Sequence, residues 1–541
     1  MRSYRSLSAA VFAIVFCALL GGFYGRNALV AQDQVPDQYK VFTAALSAID
    51  GNFVGDVESD RLVYGAISGM LGTLDPHSSF MDPRSYAQMR ERQEGRYYGL
   101  GISINVIAGE ITVFSLFEAS PAYQRGLRRG DVIARIEGED TKGWTSDQAV
   151  RKLRGPRGTP VKIAIKRSGY EKLIDLEVIR DEIHIPTVRA AFMIDENTGY
   201  ILLSEFGENS DAEVGKALKD LTAKGMRRLV FDLRGNPGGA LDQAIKISNR
   251  FLPRGDLIVY TRGRVPNSDQ DYRATQQSEY LGIPMITLVS RNSASASEIV
   301  SGALQDHDRS LVVGETTFGK ALVQSVYRVS QGAGVAVTTA RYYTPSGRLI
   351  QRPWDGTFDE YLTYTLREQD PNKAHKPEDL KFTDGGRRVY SGGGVEPDRR
   401  FNGPVEGFNP SRFARTLFGR NLFDTYAQRF SRKGDTRISA SPTTQLREFA
   451  EDFEVTDAMV AEFKQLVQKS GVRMDEMAWQ QDLPFIRAMM RFEIDVDLFS
   501  VEVARRSLSR TDPQLQYALT LFPEAEALMR LGAASSRRAA Q

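Results

Sequence analysis

Apolar residues return every three or four positions from about residue 36 to residue 94: Val41, Ala45, Leu46 and Ile49, then Leu62, Ala66, Ile67 and Met70. That spacing lays an apolar stripe along a helix. The segment closes in LDPHSSFMDP, where Pro76 and Pro83 punctuate the chain and His77, a lone histidine in a turn, reads as structural. Between about 95 and 182 the pattern changes. GISINVI, EITVFSL, DVIARIEG, VKIAIKR and LIDLEVIR read as short strands, with SPAYQRGLRRGD and SDQAVRKLRG as short helical stretches between them. From 183 to 402 the apolar runs YILLSEF, RLVFDLRG, LIVYTRG and MITLVS alternate with helical patterns such as DAEVGKALKDLTAKG. Continuous apolar runs are those of strands buried on both faces, so this block predicts α/β layering. From 403 to 541 the chain is helix-rich. VTDAMVAEFKQLVQKSG places Thr456 to cap, sets Phe463, Leu466 and Val467 on one stripe, and stops at Gly471. The expected fold class is a multidomain α+β and α/β chain, with a helical segment before the sheets and a helical extension after them.

The first residues change where such a chain would work. MRSYRSLSAAVFAIVFCALLGGFYG joins Arg2 and Arg5 to an almost wholly apolar run from Leu7 to Leu20, which reads as an export signal or an uncleaved membrane anchor over 1–31. The run reaches about 18 residues if extended to Tyr24, marginal for a span. No clean small-x-small cleavage site is present, and Phe16 before Cys17 disfavours a lipoprotein signal. The expected location is the bacterial-type periplasm or cell envelope, with inner-membrane anchoring left open. Cys17 is the single cysteine, so neither an intrachain disulfide nor a cysteine metal site can form. Lys+Arg number 70 and Asp+Glu 68, which lacks the basic excess of a nucleic-acid binder.

Candidate chemistry centres on NSASASEIV, residues 292–300, between the strand-like MITLVS and the helical EIVSGALQD. Of its three serines only Ser295 has a glutamate three places on, Glu298, the signature of a capping box. A cap accounts for Ser295 without catalysis. A serine at a tight strand-to-helix turn is also exposed where free N–H groups and the helix dipole favour negative charge. The two readings are compatible. A nucleophilic serine needs a base. Lys320, after a glycine-containing turn, has Gln324 four places on, so in a strand both side chains face one way. Lysine serves as a base only when neutral, which requires its pKa to fall several units from about 10.4. A solvated surface lysine is the plain alternative. FDLRGNPGGAL, residues 231–241, adds a glycine turn whose N–H groups suit an oxyanion hole or form an ordinary loop.

The module at 95–182 resembles a PDZ domain. YYGLGISI sets Gly99, Leu100, Gly101 and Ile102 at the carboxylate-binding loop, and ASPAYQRGLRRGDVI follows the same pattern. Such a loop offers N–H groups to a terminal carboxylate while the tail adds as a strand at the sheet edge. Over roughly residues 40 to 400, NSASASEIVSGALQD, VVGETTFGKALVQ, FDLRGNPGG, ARYYTPSGRLIQ, GGGVEPD and GMLGTLDPHSSF together resemble the carboxy-terminal processing proteases, serine endopeptidases of the S41 type. The resemblance implies a crotonase-like spiral α/β protease core at 183–402 with the PDZ domain inserted between it and the helical segment at 36–94. It implies Ser295 as nucleophile, Lys320 as general base, Gln324 in support, and the N–H groups of Gly239 and Ala296 as oxyanion donors. It needs no cofactor and no metal. It implies protein substrates with apolar C-terminal tails, and an arginine matching Arg154 through which the PDZ domain senses the core. Membrane contact through an uncleaved N-terminus and a homo-oligomer are compatible with it. The roughly 40 residues from Arg352 to Tyr390 and the extension 403–541 depart from the shorter members and leave substrate preference and assembly open. The rival readings are a tail-binding adaptor on a degenerate protease scaffold and a crotonase-like acyl-transfer enzyme.

Overall fold

The computed structural model describes residues 37–117, 119–167, 169–329, 332–354, 360–361, 363–366, 375–430 and 449–539. The segment 1–31, read above as an export signal or membrane anchor, lies outside them. The chain divides into two compact units, Met1–Asp82 and Pro83–Gln541. In the first, the apolar stripes noted above become the helices Asp37–Asn52 and Ser59–Gly72, followed by a short strand Ser79–Met81. Asp75 accepts hydrogen bonds from the backbone N–H groups of His77 and Ser78, which makes LDPHSSF a side-chain-closed turn.

The second unit opens with the helix Pro83–Glu94 and the PDZ-like module. Each predicted strand run forms: Ile102–Ile107, Glu110–Leu116, Val132–Ile136, Pro160–Lys166 and Ile174–Ile179 pair in that order in one antiparallel sheet. Alternate side chains such as Ile111, Val113, Ile133, Ile163 and Ile165 fill its core. The helix Ser146–Leu153 starts on a complete capping box, Thr145 with Gln148.

The largest block is a six-stranded sheet in the order Val188–Met193, Thr198–Leu203, Arg228–Asp232, Met285–Val289, Leu311–Gly314 and Arg399–Arg400. The first pair is antiparallel and the remaining pairs are parallel. The run YILL is buried at every position because successive residues feed two cores. Ile201 and Leu203 pack with the helices Ser210–Ala223, Leu241–Asn249 and Ala296–Asp306. Tyr200 and Leu202 pack with Leu515, Ala518, Phe522 and Ala525 of the C-terminal helices Pro513–Thr520 and Phe522–Ala539. Four strands of a second antiparallel sheet, Leu322–Arg328, Gly334–Tyr343, Leu257–Arg262 and Gln270–Arg273, carry the candidate base loop.

The rest of the extension is a helical bundle on an aromatic core of Phe408, Phe423, Phe463, Trp479 and Phe485. Thr456 caps the helix Asp457–Lys469 by accepting from Met459 N–H, and Gly471 follows it with φ +75°. The bundle also reaches the PDZ-like module. Partly buried Arg129 donates a 2.8 Å hydrogen bond to Glu493 and lies 2.6 Å from Asp424 as an ion pair without hydrogen-bond geometry.

Candidate active site

Ser295 stands between the strand Met285–Val289 and the helix Ala296–Asp306, which it caps. Its backbone has φ +54° and ψ −111°, a conformation that costs a non-glycine residue about 1–3 kcal/mol and is kept only where surroundings enforce it. The enforcement is visible. The glutamate half of the capping box is made, Ser295 N–H donating to Glu298 Oε2 at 2.8 Å, while Glu298 N–H donates to the Ser295 backbone carbonyl at 2.9 Å and the Ser295 side chain makes no cap hydrogen bond.

The two neighbouring serines are tied into the scaffold. Ser293 Oγ donates to the Leu233 carbonyl at 2.8 Å, Ser297 Oγ donates to the Asn236 carbonyl at 3.0 Å, and both residues are fully buried. Ser295 is only half-buried. Of the three, it alone keeps an accessible position without a side-chain bond into the 233–239 turn.

Glu298 does more than cap. Its buried carboxylate accepts from Ser295 N–H, Lys320 N–H at 2.9 Å, Gly319 N–H at 2.7 Å and Thr317 Oγ1. Burial pushes its carboxyl up to about 7, and the four donors hold it back from rising further. Tyr342 makes a second bridge: its single hydroxyl proton is shared between the carbonyls of Lys320 at 2.5 Å and of Ser295 at 3.1 Å. One side chain therefore gathers the N–H groups of Ser295 and Lys320, and another gathers their carbonyls. The sequence marked Glu298 only as a cap partner and Tyr342 only within ARYYTPSG. Nothing local to either residue signals a bridge to a second segment.

Lys320 lies two residues ahead of the strand Leu322–Arg328, and the ladder is irregular between Val323 and Gln324. Simple alternation along a strand therefore does not account for their approach. The contact forms nonetheless, with Lys320 Nζ donating to Gln324 Oε1 at 3.0 Å. The Gly238–Gly239 turn closes on the serine. A β-carbon on Gly238 would lie 2.8 Å from Ser295 Cβ and 2.9 Å from Ala296 N, so only glycine lets the turn come this near. Phe206 N–H donates to the Gly238 carbonyl and the Phe206 carbonyl accepts from Ala240 N–H, which leaves the N–H of Gly239 outside that bridge. Ala296 is the first helical residue, so its N–H has no intrahelical acceptor.

The predicted tail-binding loop Gly99–Ile102 opens a separate cavity of about 350 Å³, with Leu100, Ile102, Ile104, Phe117, Val150 and Leu153 in its lining. The helix Pro83–Glu94 flanks it through ion pairs of Arg84 with Asp147 and of Glu91 with Arg154. Arg154 also lies over the Tyr97 ring at 4.6 Å. Burial pushes the Tyr97 hydroxyl up to about 12 against the pull of that guanidinium. The hydrogen-bonding and ionic partner of Arg154 among the described residues is Glu91, not a residue of 183–402. No group of three or more His, Cys, Asp or Glu side chains among the described residues could hold a metal ion. No described helix is long and apolar enough to cross a membrane.

A serine at a strained strand-to-helix turn is here tied to a lysine loop and faced by a glycine turn. Residues 197–357 match the model of peptidase family S41, residues 88–166 that of the PDZ domain, and residues 26–85 that of the activating protease CtpB N-terminal domain. Residues 413–500 match a family of unknown function. The carboxy-terminal-processing protease of Bartonella bacilliformis is 40% identical over 54% of this chain and 68% of its own length. The carboxy-terminal processing protease CtpA of Bacillus subtilis is 32% identical over 63% of this chain and 73% of its own. Among solved structures, the photosystem II D1 C-terminal processing protease aligns over 59% of this chain and 91% of that one, at 29% identity and a TM-score of 0.34. The chain belongs to the carboxy-terminal processing proteases of peptidase family S41, which are serine peptidases.

Proposed function

We propose that this protease cleaves exported proteins bearing apolar C-terminal tails through a dyad of Ser295 and Lys320. The tail carboxylate meets the N–H groups of the Gly99–Ile102 loop, and the tail's apolar side chains enter the cavity beside it. Neutral Lys320, oriented by Gln324, takes the proton of the Ser295 hydroxyl as Oγ bonds to the scissile carbonyl carbon. The carbonyl electron pair moves to oxygen, where the N–H groups of Gly239 and Ala296 receive the negative charge. Collapse breaks the C–N bond, and the Lys320 ammonium returns its proton to the leaving amine. Water then releases the acyl group from Ser295. Arg154 senses the core in this scheme once a tail has loosened its bond to Glu91. Export rests on the basic, apolar first 31 residues.

The observation that carries the reading is the double bridge. Glu298 and Tyr342 fix the backbones of Ser295 and Lys320 to each other, which a surface lysine and an ordinary helix cap would not require. The test is Ser295→Ala and Lys320→Ala, each incubated with an exported protein carrying an apolar tail. Loss of cleavage in both, with the tail still bound, is expected. Cleavage at the wild-type rate by either variant would sink the dyad.

A further inference from the structure

One buried side chain far along the sequence touches all three segments that build the candidate site. Gln514, fully buried in the helix Pro513–Thr520, donates through Nε2 to the carbonyls of Val289 and Val313, both at 3.3 Å. These residues stand at the ends of adjacent parallel strands, one leading to Ser295 and the other to Lys320. Gln514 Oε1 accepts from Arg234 Nη1 at 3.5 Å, and Arg234 opens the turn that ends in Gly239. The preceding Asp512 strengthens the last contact. Its Oδ2 lies 2.7 Å from Arg234 Nη2, while its Oδ1 accepts from Leu515 N–H and so caps the same helix. The backbone makes room for this visitor. Gly314 adopts φ +139°, and a β-carbon there would lie 2.0 Å from the Val289 carbonyl and 2.6 Å from Gln514 Nε2.

We infer that Asp512 and Gln514 are positioning residues for the peptidase reaction: they hold the nucleophile, base and oxyanion segments in register from behind the sheet. The inference rests on the assignment of Ser295, Lys320 and Gly239 above. Its physical ground is that an amide donating to two strand ends fixes the spacing of those strands, and a displacement near 1 Å at a reacting group costs about a hundredfold in rate. Neither residue touches substrate. Neither contacts the tail-binding loop, so tail affinity is untouched by this role.

The experiment uses the full chain and two near-isosteric variants, Gln514→Met and Asp512→Asn, beside Leu515→Ala. Leu515 sits on the same helix and packs in the hydrophobic cluster on that sheet face. For each, kcat and KM are measured on a tailed substrate and corrected for folded fraction. The rate of labelling by a fluorophosphonate and the affinity for the tail peptide are measured alongside. Gln514→Met and Asp512→Asn are expected to lose about tenfold to a hundredfold in kcat and in labelling rate, at unchanged KM and tail affinity. Leu515→Ala is expected to melt earlier yet keep kcat per folded molecule. If all three variants keep wild-type kcat per folded molecule, or lose it equally, the inference is overturned. If Ser295→Ala retains peptidase activity, the assignment beneath it fails as well, whatever Gln514→Met does.

Discussion

The two faces of the six-stranded sheet are equally buried and differently built. The face of Ile201, Leu203, Leu229 and Phe231 is covered by helices that lie between its own strands in sequence. The face of Phe192, Tyr200, Val230 and Ile286 is covered by helices that follow the sheet in sequence, Pro513–Thr520 and Phe522–Ala539 with Arg506 of the helix Val501–Ser509 over the Phe192 ring. The near cover carries the candidate nucleophile, because Ser295 caps its helix Ala296–Asp306. The far cover carries none of the candidate catalytic side chains, but it reaches the ends of the strands that do. A parallel sheet needs both faces covered. This chain meets the second requirement with a segment that a smaller core would have to replace by something else.

That contrast can be broken in three ways, from the largest effect to the smallest. Phe522→Ala and Phe231→Ala remove a fully buried ring from the far and the near face respectively, and each is expected to cost about 3–5 kcal/mol of stability. Urea unfolding measures both. If the far cover were an ornament, Phe522→Ala would leave the midpoint where it was. Glu298→Gln acts only on the near side. An amide cannot accept on both ends from four donors, so one donor pair is left facing an NH2. A fall in kcat of about a hundredfold, or about 2.7 kcal/mol, is expected, read in steady-state kinetics. The wild-type carboxyl adds a pH signature. Its folded pKa near 7 lies above the unfolded value of 4.5, so the folded state holds the extra proton. This contribution is full below about pH 4.5 and is lost as pH rises through about 7. Thermal melts of Glu298→Gln should lack that slope.

The smallest effect is at the far end of the same helix. His307 caps it, its Nε2–H donating to the Leu257 carbonyl (2.6 Å) and its protonated Nδ1 donating to Asp384 Oδ2 (2.7 Å). Burial alone would lower its pKa, but those two bonds and the charges of Asp384 and Asp256 raise it to about 9. Its stabilisation is full below about pH 6.5 and is lost as pH rises through about 9. Asp384 is half-exposed, so about 1–2 kcal/mol is expected. His307→Asn should flatten the stability profile between those limits in melts taken at fixed ionic strength.

Much of this was legible along the chain and some was not, for a physical reason. The strand runs of the PDZ domain, the Thr456 cap and the singling out of Ser295 each depend on residues within a few positions of one another, and a local period or a capping pair records such relations. The spacing of Lys320 and Gln324 pointed to the right contact by an incomplete route, because the lysine precedes the strand and the ladder is irregular beside the glutamine. Glu298 was legible as a cap, whereas its hold on Thr317, Gly319 and Lys320 depends on how a second loop returns. The continuous run YILL announced that both faces of its strand are buried, but nothing in it names the cover. Gln514 lies 225 residues from Val289, a separation at which no period survives.

That separation also has a consequence in time. A ribosome delivers Val313 well before Gln514, which comes 201 residues later. At about 5–20 residues per second the interval is about 10–40 s. Through that interval the strands that lead to Ser295 and Lys320 lack the helices that cover their far face, and the amide that clamps their ends has not been made.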